Sequence, residues 1–201
     1  EHVTQFKYDS LSVLVERIDP ETNTTTWTHD GLGRVLQESI TLGASSYKTR
    51  TWAYDGNDRL TSHEDDAGND TTWAYNARNL VTLETYADTY NKDFDYDAAD
   101  NLTQWIDPNG TEADLTWDDN NRNTARDITL GSGVGGTTAE DYLYDALDRM
   151  TEAKDDDVTV QLTWDSLSRK TAEISGPNPI GSSGKTTSYT YDSAGNVTQI
   201  G

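Results

Sequence analysis

One short motif recurs along the whole chain. It consists of an aromatic residue, an acid, a polar turn, an arginine or asparagine, an aliphatic residue and usually a threonine, and it is clearest at 54–61 and 144–151. The anchors are Tyr8, His29, Tyr54, Tyr75, Tyr96, Trp117, Tyr144, Trp164 and Tyr191, spaced by 21, 25, 21, 21, 21, 27, 20 and 27 residues. A base period of 21, with insertions only between motifs, predicts a tandem repeat array.

Each repeat has the pattern of a β-hairpin. Within 71–75 large and small residues alternate, so that Trp73 and Tyr75 share one face of a strand. A polar turn follows at 76–79, and then a β-favouring run at 80–83. A lone hairpin is marginal in water, so neighbouring hairpins must stack. We therefore predict an all-β fold over 1–201, with tandem hairpins in a continuous, twisted or spiralling antiparallel sheet, and interpret the chain as a fragment of a longer array.

The motif residues themselves are predicted to be structural. An Asp or Asn side chain can close a turn by accepting backbone N–H groups just beyond it, and Gly31, Gly56 and Gly195 are predicted to supply positive φ. Catalysis by these acids is the alternative, but a constellation repeated in nearly every hairpin favours structure. The predicted motif set is Tyr54, Asp55, Arg59, Leu60, Tyr75, Tyr96, Asp97, Trp117, Asp118, Arg122, Tyr144, Asp145, Arg149, Trp164, Asp165, Arg169, Tyr191 and Asp192.

Charge and cysteine content restrict the partners of the chain. There are 36 acidic and 15 basic residues, giving a formal net charge of −21, which argues against binding to nucleic acid or to anionic membranes. No apolar stretch is long enough to span a membrane, so membrane insertion is not expected. The absence of Cys excludes disulfides, Cys-ligated zinc and thiol catalysis.

Few residues suggest a ligand site. Asp65, Asp66, Asp70 and Asp107 lie in oxygen-rich turns that are weak candidates for Ca²⁺, although plain solvated turns explain them equally well. No other cofactor is indicated. Three tryptophans are candidates for stacking on sugar rings if they are exposed, and core residues if they are not: Trp52, Trp73 and Trp105. The three histidines are scattered over different repeats, so no catalytic grouping is predicted and we do not expect an enzyme.

The tandem motif resembles the YD-repeat, or Rhs (rearrangement hotspot), family. The resemblance runs from Tyr8 to Val197, with departures at His29 and Asn76. It implies a long β-ribbon wound into a spiral. In bacterial Rhs effectors and insecticidal toxin complexes the ribbon forms a shell around a toxic C-terminal domain; in teneurins and wall-associated proteins it forms an extracellular scaffold.

Three functions remain open at this stage. The first is a non-catalytic structural array, secreted or at the cell surface of a bacterium, that serves as a shell, fibre or scaffold. The second is a carbohydrate-binding or adhesion module, and the third is a segment of a shell enclosing a toxin domain. The expected partners are further repeats of the same chain or other copies of it, with glycans or an enclosed toxin domain as alternatives.

Overall fold

A computed structural model describes residues 3–42, 46–180 and 184–201, with Ser46 described by its backbone alone. All regular structure in these residues is β. The strands are β1 (Gln5–Tyr8), β2 (Leu14–Ile18), β3 (Thr24–His29), β4 (Val35–Leu42), β5 (Ser46–Tyr54), β6 (Leu60–Glu64), β7 (Asp70–Tyr75), β8 (Val81–Thr85), β9 (Asn91–Tyr96), β10 (Leu102–Ile106), β11 (Glu112–Trp117), β12 (Asn123–Thr129), β13 (Ala139–Tyr144), β14 (Met150–Asp155), β15 (Val158–Trp164), β16 (Lys170–Pro177), β17 (Lys185–Tyr191) and β18 (Val197–Ile200).

The strands fall into two compact units. In the N-terminal unit, Glu1–Lys92, each strand from β1 to β8 pairs antiparallel with the next. In the C-terminal unit, Asp93–Gly201, the same holds from β9, which begins two residues before the boundary, to β18. The prediction of an all-β fold of tandem antiparallel hairpins is confirmed.

Every motif hairpin contains a bulge at the same place. In the hairpin of β5 and β6, Tyr54 pairs with Leu60, whereas the preceding residue, Ala53, pairs with Ser62. Thr61 is therefore the extra residue of a β-bulge. Hydroxyls at this position reach across the hairpin in other repeats: Thr82 donates to the carbonyl of Ala74 at 3.4 Å. The threonine of the motif thus marks a bulge, which the sequence pattern did not reveal.

Neighbouring hairpins join in a constant register. The residue seven positions after the turn acid pairs with the residue three positions before the next aromatic anchor. The pairs are Ser62↔Thr72, Gln104↔Asp114, Ala125↔Asp141, Glu152↔Gln161 and Ala172↔Ser188. Because a slip of one residue would move every side chain to the other face of the sheet, this constant register keeps the aromatic residues on one face.

The array is thinly covered, because no second layer packs on it within the described residues. There Ala113 is the one apolar residue classed as buried, while the anchors Tyr75, Trp117, Tyr144 and Trp164 are half-buried. Stability must therefore come from contacts between neighbouring hairpins. No helix that is both long and apolar enough to span a membrane occurs in the part of the chain that is described.

Candidate functional site: the turn spine

The acid of the motif closes each turn through both of its carboxylate oxygens. Asp145 Oδ1 accepts hydrogen bonds from the backbone N–H groups of Leu147 at 2.8 Å and Arg149 at 3.1 Å. Asp145 Oδ2 accepts from Nε of Arg149 at 2.7 Å and lies 2.6 Å from its Nη2. The same fork forms at Asp30, Asp55, Asp118 and Asp165. This bidentate pairing uses the planar geometry of arginine, so the predicted structural role of the acid–arginine pair has a direct physical basis.

The left-handed residue of the turn is the fourth one, counting the acid as the first. It has positive φ in every motif turn, as at Asp58 with 65° and Asp148 with 61°. Our prediction for Gly195 is confirmed by its φ of 88°, but it was wrong for Gly31 and Gly56, which lie two residues too early and do not have positive φ. The sequence misled us because Asp and Asn tolerate this conformation and occupy the position in most repeats.

Substitutions at the left-handed position should have opposite signs in two turns of the N-terminal unit. Thr22 has a φ of 67°, a costly conformation for a β-branched residue, so Thr22→Gly should raise the free energy of unfolding by about 0.5–1 kcal/mol. Gly68 has a φ of 83° and open space where a Cβ would lie. Gly68→Ala should therefore lower it by about 1 kcal/mol through backbone strain alone. Urea unfolding of both variants checks this, and equal signs would contradict it.

The arginine of one turn also binds the next repeat. Arg149 Nη1 donates to the backbone carbonyl of Asp165 at 2.7 Å, and its guanidinium lies 5.9 Å from the ring centre of Trp164. In return Trp164 Nε1 donates to the carbonyl of Met150 at 2.7 Å. Each motif is therefore half of a reciprocal clamp between two consecutive repeats.

We call this series of clamps the turn spine. It comprises the motif acids, the arginines or asparagines four residues later, and the aromatic anchors. Arginine–aromatic stacking recurs at Arg34–Tyr54, Arg59–Tyr75, Arg122–Tyr144, Arg149–Trp164 and Arg169–Tyr191, with distances to the ring centre from 4.5 to 5.9 Å. The return bond from the aromatic to a backbone carbonyl recurs for Tyr75, Trp117, Tyr144, Trp164 and Tyr191.

Asparagine replaces arginine in some repeats and keeps part of the clamp. Asn101 Nδ2 donates to Asp97 Oδ2 at 2.9 Å and to Asn121 Oδ1 of the next turn at 3.0 Å. In the shorter motif at Asn76, the amide oxygen accepts the N–H groups of Arg78 and Leu80, and Leu80 stands where the arginine would be. The motif variants seen in the sequence therefore share one backbone turn.

The turns between motif hairpins use the same geometry, which we did not predict. At Asp65, Oδ1 accepts from the N–H groups of Ala67 and Asn69, and Oδ2 accepts from Asn69 Nδ2 at 2.8 Å. Asp19 makes the matching contacts with Glu21 and Asn23. A repeated Asp-x-x-x-Asn spacing at both places was the available signal.

Hydrogen bonding depresses the pKa of the turn acids, which makes stability depend on pH. The Arg149 side chain is the main cause that holds the pKa of Asp145 below its usual value, with burial acting in the opposite direction. Asp55 and Asp118 follow the same pattern with their own arginines, and in Asp65 and Asp192 the largest cause is an asparagine. A carboxyl whose pKa is lowered by folding stabilises the fold above its unfolded pKa and loses that contribution as pH falls through its folded pKa.

We expect acid unfolding to steepen below about pH 4, where the unfolded-state pKa values of Asp lie. Circular dichroism during urea unfolding at several pH values measures this. The Asp145→Asn variant is the matched control, because it keeps an oxygen for the turn but cannot titrate, so its loss of stability between about pH 4 and 2 should be smaller. A steady loss already between about pH 7 and 5 would contradict the expectation.

The four calcium candidates lie in two turns with other contacts. Asp65 and Asp107 are turn acids that accept backbone N–H groups. Asp66 is paired with Lys48, and Asp70 Oδ1 accepts from Ser62 Oγ at 2.8 Å. In the described part of the chain no three acidic or histidine side chains are grouped so that they could hold a metal ion. Calcium binding stays a prediction.

The three candidate sugar-stacking tryptophans are half-buried in strands. Trp52 packs against His63, with ring centres 5.2 Å apart, while Trp73 pairs across its hairpin with Glu84 and Trp105 with Phe94. The structure does not bring them together into one site, since they lie in different hairpins. Glycan stacking by these residues stays a prediction.

Comparison with known proteins agrees with the repeat pattern. The RHS Repeat family model matches residues 54–90 and 96–133. No curated protein matches the sequence. The crystal structure of TcdB2-TccC3 superposes with a TM-score of 0.76 over 98% of the chain at 16% identity, and the chain spans 11% of its length. The Photorhabdus luminescens Tc holotoxin pore gives a TM-score of 0.71 at 15% identity over 98% of the chain, which spans 12% of that protein. At these identities the likeness shows the fold.

Proposed function

From the premise that this chain is an RHS-repeat protein, we propose that it serves as a non-catalytic structural array, one segment of the wall of a larger, toxin-type shell. The turn spine carries this proposal. Its acids, arginines and aromatic residues are engaged in holding hairpins to one another, as in the clamp between Arg149 and Trp164. Such a design suits an extended wall, because each repeat needs only its neighbours.

The likeness to Tc proteins supports the shell over other scaffolds. Both structures reported above contain toxin-complex components and superpose over nearly the whole chain, which spans about a tenth of each. The proposal extends to a secreted or surface location and to an enclosed toxin domain as partner. Electron microscopy of the native polypeptide containing this chain tests it. Hollow particles with β-walls are expected, and long filaments or solid particles would overturn the shell.

A deletion within the chain tests the structural array separately from the shell. Removing 54–74, one full period, joins Ala53 directly to Tyr75 and preserves strand direction and face. We expect this variant to fold with similar circular dichroism per residue and reduced stability, because stability in a repeat array is close to a sum over repeats.

The matched control removes 54–64, which takes out one turn and one strand. This places two strands of the same direction side by side without a crossover, which an antiparallel hairpin array cannot accommodate. We expect it to unfold or aggregate. If the full-period deletion is equally damaging, the modular array is the wrong description of the chain.

A further inference from the structure

The first and last strands differ from all the strands between them. Every residue of β1 and of β18 is exposed. On the aromatic side Phe6 is 55% and Tyr8 57% exposed at one end, and Val197 is 51% and Ile200 64% exposed at the other. The equivalent residues inside the array, such as Phe94 and Trp105, are half-buried. These two strands are therefore sheet edges with apolar side chains still uncovered.

The two edges are complementary by the rule that joins the interior hairpins. The residue seven positions after the last turn acid, Asp192, is Gln199, and the residue three positions before the first anchor, Tyr8, is Gln5. We propose that β18 of one copy of this chain pairs antiparallel with β1 of a second copy, in the register Gln199↔Gln5. This inference rests on the proposed structural role and names a partner for the array.

The turn spine would continue across the same joint. Tyr191 donates to the carbonyl of Lys170 at 2.7 Å, and the equivalent pair between copies is the Tyr8 hydroxyl and the Val197 carbonyl. Asn101 donates to the left-handed residue of the next turn, Asn121, and the equivalent pair is Asn196 and Ser12, whose φ is 63°. Both edges therefore hold the donor and acceptor types that their partner needs.

Net charge opposes this contact and gives it a signature. Each copy carries a formal charge of −21, so two copies repel, and salt screens that repulsion. Association should therefore strengthen as ionic strength rises, the opposite of an interface held by attraction between unlike charges. The contact is head-to-tail, so each assembly keeps one free β1 and one free β18, and growth continues unless a ring closes.

Disulfide trapping tests the register, because the chain has no cysteine of its own. Gly201 exchanges both backbone hydrogen bonds with Ser188, so Gln199, two residues away in a regular ladder, also turns its backbone groups toward β17. On its outer side Gln199 would then form a non-hydrogen-bonded pair, whose close Cβ atoms suit a disulfide. The two variants are Gln5→Cys and Gln199→Cys, mixed under mild oxidation.

We expect the mixed disulfide to form roughly tenfold faster than in a mixture of Gln5→Cys with Gln161→Cys, which puts an exposed cysteine on the interior strand β15. Sedimentation of the unmodified chain should show assembly that grows with concentration and salt, weakened by Tyr8→Ala. Equal trapping rates, or a monomer at every concentration and salt, would overturn the proposal. The full-period deletion and the microscopy of the native polypeptide would be unaffected by that failure, so the two proposals fail separately.

Discussion

Replacing Trp164 with alanine should lower the free energy of unfolding by about 3 kcal/mol, near the lower end of the range for large-to-small aromatic substitutions because the ring is half-exposed. The change removes the hydrogen bond from Nε1 to the Met150 carbonyl and the surface on which Arg149 stacks. It thus opens the clamp between two repeats from both sides. Urea unfolding followed by far-ultraviolet circular dichroism measures the loss without relying on tryptophan fluorescence.

The Trp164→Tyr variant is the matched control for this substitution. Other repeats place tyrosine at the same position, and the Tyr191 hydroxyl donates to the equivalent carbonyl, that of Lys170, at 2.7 Å. Tyrosine should therefore restore most of the stability, with a loss below about 1 kcal/mol. A loss as large as that of alanine would mean that indole packing, and not the shared clamp, determines the stability at this position.

Replacing Arg59 with methionine should cost about 2 kcal/mol, since it removes a cation–π contact together with charge-assisted hydrogen bonds in a partly exposed setting. Arg59 forms the fork with Asp55, donates to the Asn76 carbonyl at 3.1 Å, and lies 4.6 Å from the ring centre of Tyr75. Methionine keeps the length of the side chain and its apolar stem. The loss therefore reports on the guanidinium group.

The Arg59→Lys variant separates charge from geometry. Lysine keeps the positive charge but cannot form the planar fork, so we expect it to recover less than half of the loss. Hydrogen exchange of the amides in β6 and β7 shows whether the weakening is local to the joint between these repeats. Full recovery by lysine would mean that charge alone supports the turn spine.

The repeat period, the all-β class and the structural nature of the motif could be predicted from the sequence. Hairpin turns are local, and their chemistry is written in adjacent residues: an acid such as Asp145, a partner four positions later such as Arg149, and an aromatic strand before them. Period-two alternation likewise identifies the face of each strand. These inferences needed no knowledge of how one hairpin meets the next.

Contacts between repeats were decided only by the tertiary structure. The sequence does not tell that Arg149 reaches the carbonyl of Asp165, or that Trp164 returns a bond to Met150, because these atoms meet only when two hairpins lie in the constant register. The left-handed position was also misassigned at Gly56, because aspartate adopts at Asp58 the conformation that we expected of glycine. Local chemistry thus determined the hairpin, whereas the register between hairpins, set by backbone pairing across 14 to 26 residues of sequence, determined the turn spine.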